Sequence, residues 1–192
     1  MKFQELDSIT QEKALNKLRD INTEFEWYED SYLYFTEVCS RFGLSIYRIY
    51  FSGFDSQGDG ASFTGDFEWK EPNEAIPDAI ASAVQTLKEQ SALIRAYDPE
   101  CKLLVRISQR GRYCHEYTMR FEWEIYNYEN ETDKEAMERL LDEESIAEAF
   151  RDIARWLYIC LEKEHEYLTS DEAIKETIEA NDYEFDEDGD LA

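Results

Sequence analysis

Between Leu44 and Ile125 apolar residues recur at every second position over two long stretches, whereas before and after them they recur every three to four. A chain cannot satisfy both periods with one kind of element. Alternation places side chains on the two faces of a strand, and the longer period draws a stripe along a helix. The switches at residue 44 and near residue 127 therefore predict a sheet built between helices.

The first helix is predicted over residues 8–25, with Ala14, Leu15, Leu18 and Ile21 at helical spacing. The second runs from Glu29 to Arg41 with Tyr32, Phe35, Val38, Cys39 and Phe42 on one stripe, and Gly43 is a natural residue to end it. Leu44 to Phe54 is rich in β-branched and aromatic residues. After Ser56-Gln57-Gly58-Asp59-Gly60, Phe63, Phe67 and Trp69 fall at even spacing, which makes a hairpin. Pro77 suits the first turn of a third helix reaching Arg95. A second hairpin pairs Leu103, Val105 and Ile107 with a long strand, turning at Arg110-Gly111-Arg112. That strand is expected to carry Tyr113, His115, Tyr117, Met119, Phe121, Trp123 and Ile125 on one helix-covered face, and Cys114, Glu116, Thr118, Arg120, Glu122 and Glu124 on a solvated one. From Asp133 the pattern is helical again, with Ile146, Phe150, Ile153, Leu157, Cys160 and Leu161 in one stripe, and Ser170 caps a last helix with Ile174 and Ile178 inward. The expectation is an α+β fold: a four-stranded antiparallel sheet from two hairpins packed against several helices. One domain over residues 1–181 is expected, followed by an acidic, frayed tail over 182–192.

Composition narrows the partners. With 45 acids against 20 bases the net charge is −25, while 43% of the residues are apolar, enough for a core. The charge is uneven: residues 127–192 hold twenty-three acids and six bases, net −17. Such acidity opposes direct binding to nucleic acid or an anionic membrane and favours basic partners. The start of the chain is polar, no run reaches membrane-spanning length, and Cys39, Cys101, Cys114 and Cys160 show no CxxC. The expectation is free thiols in a reducing compartment, the cytoplasm of the cell that hosts the protein.

Two constellations are candidates for function. Glu144, Glu148 and Asp152 lie four apart and stack along one helix face, only partly relieved by Arg151 and Arg155. Glu172, Glu176 and Glu179 form a second stripe that Asp182, Glu184 and the acids to Asp190 extend. Either these faces serve solubility, or they present carboxylates where a nucleic acid presents phosphates and so occupy the Lys/Arg groove of a nucleic-acid-binding protein. Whether the acidic face continues across a homodimer is left open. The other candidate is the loop Asp55, Gln57, Asp59 and Gly60 with Asp66 at the twelfth position, which approximates a calcium loop. Its twelfth residue is not Glu and its flanks read as strands, so the competing reading is a hairpin turn whose glycines take positive φ. A hydrolase or metal-binding protein using Asp55 to Asp66 is the corresponding alternative. Cys114-His115 with the distant cysteines and His165 matches no zinc spacing, and no GxSxG, P-loop or GxGxxG is present. No cofactor, no metal and no catalytic residue is assigned.

The run Tyr47-Arg48-Ile49-Tyr50-Phe51-Ser52-Gly53-Phe54-Asp55-Ser56-Gln57-Gly58-Asp59-Gly60-Ala61-Ser62-Phe63, with Cys114-His115-Glu116-Tyr117-Thr118-Met119 and the ending Asn181 to Gly189, resembles uncharacterised proteins of bacteriophages and mobile elements. Some of those are described as antitoxins of a toxin–antitoxin stability system. Members often carry Trp where this chain has Asp55, a departure that bears on what the loop could bind. The resemblance implies a mobile-element origin and brings no catalytic residues. Joined to the charge, it leads to the expectation of an inhibitor of a host nucleic-acid-binding defence protein, with an antitoxin that neutralises a partner toxin as the alternative.

Overall fold

A computed structural model describes residues 1–192. The elements follow the order α1 (Ser8–Lys17), α2 (Glu29–Arg41), β1 (Leu44–Ser52), β2 (Gly60–Glu68), α3 (Asp78–Tyr97), β3 (Lys102–Gln109), β4 (Met119–Tyr126), α4 (Glu131–Glu138), α5 (Glu143–Leu168) and α6 (Asp171–Ala180). The class is α+β, with one four-stranded antiparallel sheet in the order β1-β2-β3-β4. The chain forms two compact units, Tyr32–Cys160 and the pair Met1–Ser31 with Leu161–Ala192.

The contiguous unit holds the sheet. Leu44, Phe63, Phe67, Leu103, Val105, Ile107, Met119 and Ile125 are buried, as the alternation requires. Helical stripes supply Phe35, Val38 and Cys39 from α2, Ile80, Val84 and Leu87 from α3, and Ile146, Phe150, Ile153 and Leu157 from α5, all buried. Phe150 lies 5.5 Å from both Phe67 and Phe121 between ring centres, and Phe35 lies 5.6 Å from Phe63. Each such side chain contributes about 1.5–3 kcal/mol relative to exposure. Gly43 ends α2 at φ +91°, and a Cβ there would sit 1.9 Å from the Glu68 carbonyl oxygen, so the turn into β1 admits no other residue. A bulge between Ile46 and Arg48 throws Tyr47 outward, where its hydroxyl donates to Asp66 Oδ2 at 2.8 Å.

Two elements of this unit are shorter than the sequence suggests. β4 starts at Met119, because residues 110–118 bond to themselves: Arg110 N donates to the Thr118 carbonyl, Gln109 Nε2 to the Tyr113 carbonyl, and Glu116–Thr118 form a 3₁₀ turn. The alternating aromatics Tyr113, His115 and Tyr117 therefore line a loop, with ring centres 6.2 Å apart at each step. The helical stretch after residue 130 is also broken, since Asp142 turns the chain and accepts from Ser145 N to start α5.

The discontinuous unit is built on Phe3, Leu6, Ala14, Leu15, Ile174, Ile178 and Phe185. Asp7 caps α1 by accepting from Ile9 N and Thr10 N. α1 ends at Lys17 rather than 25, because the Asn22 side chain is held elsewhere: its Nδ2 donates to the Leu168 carbonyl, and its Oδ1 accepts from Thr177 Oγ1 at 2.6 Å. Tertiary bonding overrides the helical period there. The segment after 181, expected to fray, is folded. Phe185 is 1% exposed, packs edge-on against Phe3 and exchanges backbone bonds with Met1, while Asp186 Oδ1 accepts from Asp188 N and Asp190 N. One buried ring fixes a segment whose six acidic residues charge alone would leave loose. No helix is long and apolar enough to cross a membrane.

Candidate functional site: the acidic faces

On α5, the stripe Glu144, Glu148 and Asp152 exists as expected, but it is not bare. Arg151 Nη1 donates to Glu144 at 3.3 Å and to Glu148 at 3.1 Å. Arg155 donates to Glu148 and Asp152 and, at 3.2 Å, to Glu116 from the loop before β4. Four carboxylates thus share two guanidinium groups, leaving net −2. The Arg155 hydrogen bonds, with help from Arg151 and against the cost of burial, hold the Glu148 carboxyl below its ordinary pKa. Arg155 is partly desolvated, which opposes its charge, yet Glu148, Tyr117 and Glu116 outweigh this and raise its pKa. Arg151 also lies over Tyr117, 5.2 Å from the ring centre. The stripe is an ion-pair network joining α5 to a loop. Alternation places Glu116 on a solvated strand face, and only the chain's return as a 3₁₀ turn brings it to Arg155.

The loop candidate does not assemble. Asp59 Oδ2 accepts from Asp55 N at 3.1 Å and from Ser56 N at 2.7 Å, closing the hairpin turn, and Gly58 takes φ +102°. Asp66 is six residues into β2, opposite Ser45 and bonded to Tyr47, so it does not join Asp55, Gln57 and Asp59. No three His, Cys, Asp or Glu residues gather in a way that could hold a metal ion. Cys39 and Cys101 are buried free thiols, and burial pushes the Cys39 thiol well up. The loop does meet the other segment of the resemblance. A Cβ on Gly60 would lie 2.7 Å from Cα and Cβ of His115, and Tyr158 Oη donates to the Gly53 carbonyl at 3.0 Å. The two segments form a packed end of the sheet rather than an ion cage.

α6 presents the barest acidic face. Ser170 caps it, Ala173, Ile174 and Ile178 are buried, and Glu172, Glu176 and Glu179 point away from them, exposed. Glu179 accepts from Gln4 and Glu176 from Tyr167; no Lys or Arg pairs with Glu172, Glu176 or Glu179. Their field is felt locally, for Glu176 foremost, with Glu172 and Glu164, raises the Tyr167 hydroxyl pKa. Asp182 and Glu184 share the single ammonium of Lys2, at 2.8 and 3.2 Å. The discontinuous unit holds twenty-one acids and six bases, net −15, against twenty-four and fourteen, net −10, in a contiguous unit of twice the length. The first part of that excess, Glu24, Glu26, Glu29 and Asp30, lies far from the C-terminal acids in sequence and joins them only through the fold.

No curated protein and no solved structure matches the chain significantly. A family profile matches residues 27–171, which include the whole sheet, the ion-pair network and the packed loops, and by that match the chain belongs to the family of the domain of unknown function DUF8835.

Proposed function

We propose that this protein is an acidic binding protein that occupies the basic, nucleic-acid-binding surface of another protein and competes with the nucleic acid there. The resemblance to proteins of phages and mobile elements makes a host defence protein or complex the natural target. The observation that carries the reading is the α6 face: exposed carboxylates without cationic partners, on a unit of net −15. A face kept acidic only for solubility needs no such concentration, and the α5 stripe, half neutralised by Arg151 and Arg155, is the weaker competitor for phosphate sites.

The test is capture from nuclease-treated bacterial lysate at low and high salt, followed by elution with duplex DNA. Nucleic-acid-handling proteins should be retained at low salt and displaced by DNA. The triple reversal Glu172→Lys, Glu176→Lys, Glu179→Lys should abolish capture. Its fold should persist, because those side chains lie opposite the buried stripe. Retained proteins that DNA does not displace, or a reversal without effect, would refute the reading.

A further inference from the structure

We propose that the loop Glu24–Glu29 is the short-range docking point for an arginine-bearing segment of the basic partner. This rests on the proposed function and gives it a second, non-electrostatic contact.

Phe25 is 84% exposed, more than any other large apolar side chain in the protein. It lies beside an open concavity of about 800 Å³ that Trp27 and Tyr28 also line. Those two rings meet edge to face at 5.8 Å, and Trp27 meets His165 at 5.4 Å, so one wall is braced. The Asn22 bonds to Leu168 and Thr177 hold the segment from below. Had α1 continued to residue 25, Phe25 would fall seven positions after Leu18, on the buried stripe. The break at Lys17 instead leaves a large ring in water on a braced base.

Charge decides the occupant. Glu24, Glu26 and Glu29 line the same concavity, form no ion pair, and stand in a stretch, residues 20–40, with no Lys or Arg. Carboxylates repel a nucleic acid or an anionic lipid. Aromatic faces attract cations, and a planar guanidinium can stack on a ring while forking to a carboxylate, which an ammonium does less well. The opening is too wide for one side chain and suits a short extended segment. An aromatic anchor rimmed by charge is the usual form of an interaction hot spot.

The experiment uses the full-length chain and two octapeptides, alternating Gly-Arg and alternating Gly-Lys, at 0.15 M salt and again at lower and higher salt. The Trp27 indole NMR resonance, assigned with Trp27→Phe, reports on the loop. It should shift on titration, with the arginine peptide about 5-fold tighter than the lysine peptide. Phe25→Ser, harmless to the fold at so exposed a position, should weaken arginine-peptide binding about 10-fold. The α6 triple reversal should flatten the salt dependence yet preserve the Trp27 shift. Equal binding by Phe25→Ser, or no Trp27 response, would overturn the docking point and leave the α6 reading standing. Self-association without peptide that Phe25→Ser abolishes would overturn it in favour of a second copy as occupant. A salt dependence unchanged by the α6 reversal would count against the α6 reading alone.

Discussion

Glu148 is the centre of the α5 network, and replacing it tests whether that network holds the loop to the helix. Glu148→Gln removes one charge and keeps the shape. The carboxylate bonds to two guanidinium groups, of Arg151 and Arg155, which are 18% and 33% exposed. Glu148 itself is 43% exposed, so its pairs are partly screened. An exposed pair is worth about 0.2–1 kcal/mol and a charge-assisted hydrogen bond about 1.5–3, so two half-exposed ones should total about 1–2 kcal/mol. In a chain of this size that lowers Tm by about 3–6 °C. The pH dependence has a definite sign. The Glu148 pKa is lower folded than unfolded. Its stabilisation is therefore complete above the unfolded carboxylate pKa and fades as pH falls through the folded one. Urea denaturation at pH 7 should separate wild type from Glu148→Gln by the stated amount, and the gap should close toward pH 3. A cycle with Arg155→Met should show coupling of about 1 kcal/mol. A gap below about 0.3 kcal/mol at pH 7, or one unchanged at pH 3, would refute the network as a structural tie. For the same reason, reversing Glu144, Glu148 and Asp152 to Lys together is expected to unsettle the fold, because it would crowd three ammonium groups around two guanidinium groups.

Two further perturbations test the packing. Gly60→Ala should cost about 1–3 kcal/mol in urea denaturation and shift the His115 NMR signals, because the new methyl meets the His115 backbone; a neutral result would show that the two loops do not pack. Phe185→Ala should destabilise the discontinuous unit by about 3–5 kcal/mol and speed hydrogen exchange at Phe3 and Leu6, and unchanged protection there would mean that the C-terminal segment does not hold that core.

The elements that local pattern governs were legible in the sequence. Both hairpins, the α2 boundary at Gly43, the Ser170 cap and the α5 stripe follow from period, glycine placement and capping, all short-range rules. The departures arise where a distant partner decides. Asn22 stops α1 because Leu168 and Thr177 hold its side chain. β4 loses residues 113–118 to loop hydrogen bonds, although the alternation reads straight through them. Phe185 stands alone in an acidic run, and one apolar residue there has no period to announce it. At the candidate sites, the acidic stripes could be read from spacing, while the pairing of Glu116 with Arg155 joins residues 39 apart and depends on a 3₁₀ turn. The calcium-like spacing from Asp55 to Asp66 misleads because twelve residues in a hairpin run away from each other, whereas in a loop between helices they wrap.

The pairing of Phe3 with Phe185 has a consequence for how the chain comes to be folded. As the polypeptide leaves the ribosome, the segment Tyr32–Cys160 carries everything its own sheet needs, so it can collapse while synthesis continues. The amino-terminal segment cannot. Phe3, Leu6 and Leu15 must wait, uncovered, until Ile174, Ile178 and Phe185 emerge about 160 to 180 residues later. Closing so long a loop is a slow entropic search, and the waiting segment is a natural client for a chaperone. Its many acids would keep it in solution meanwhile.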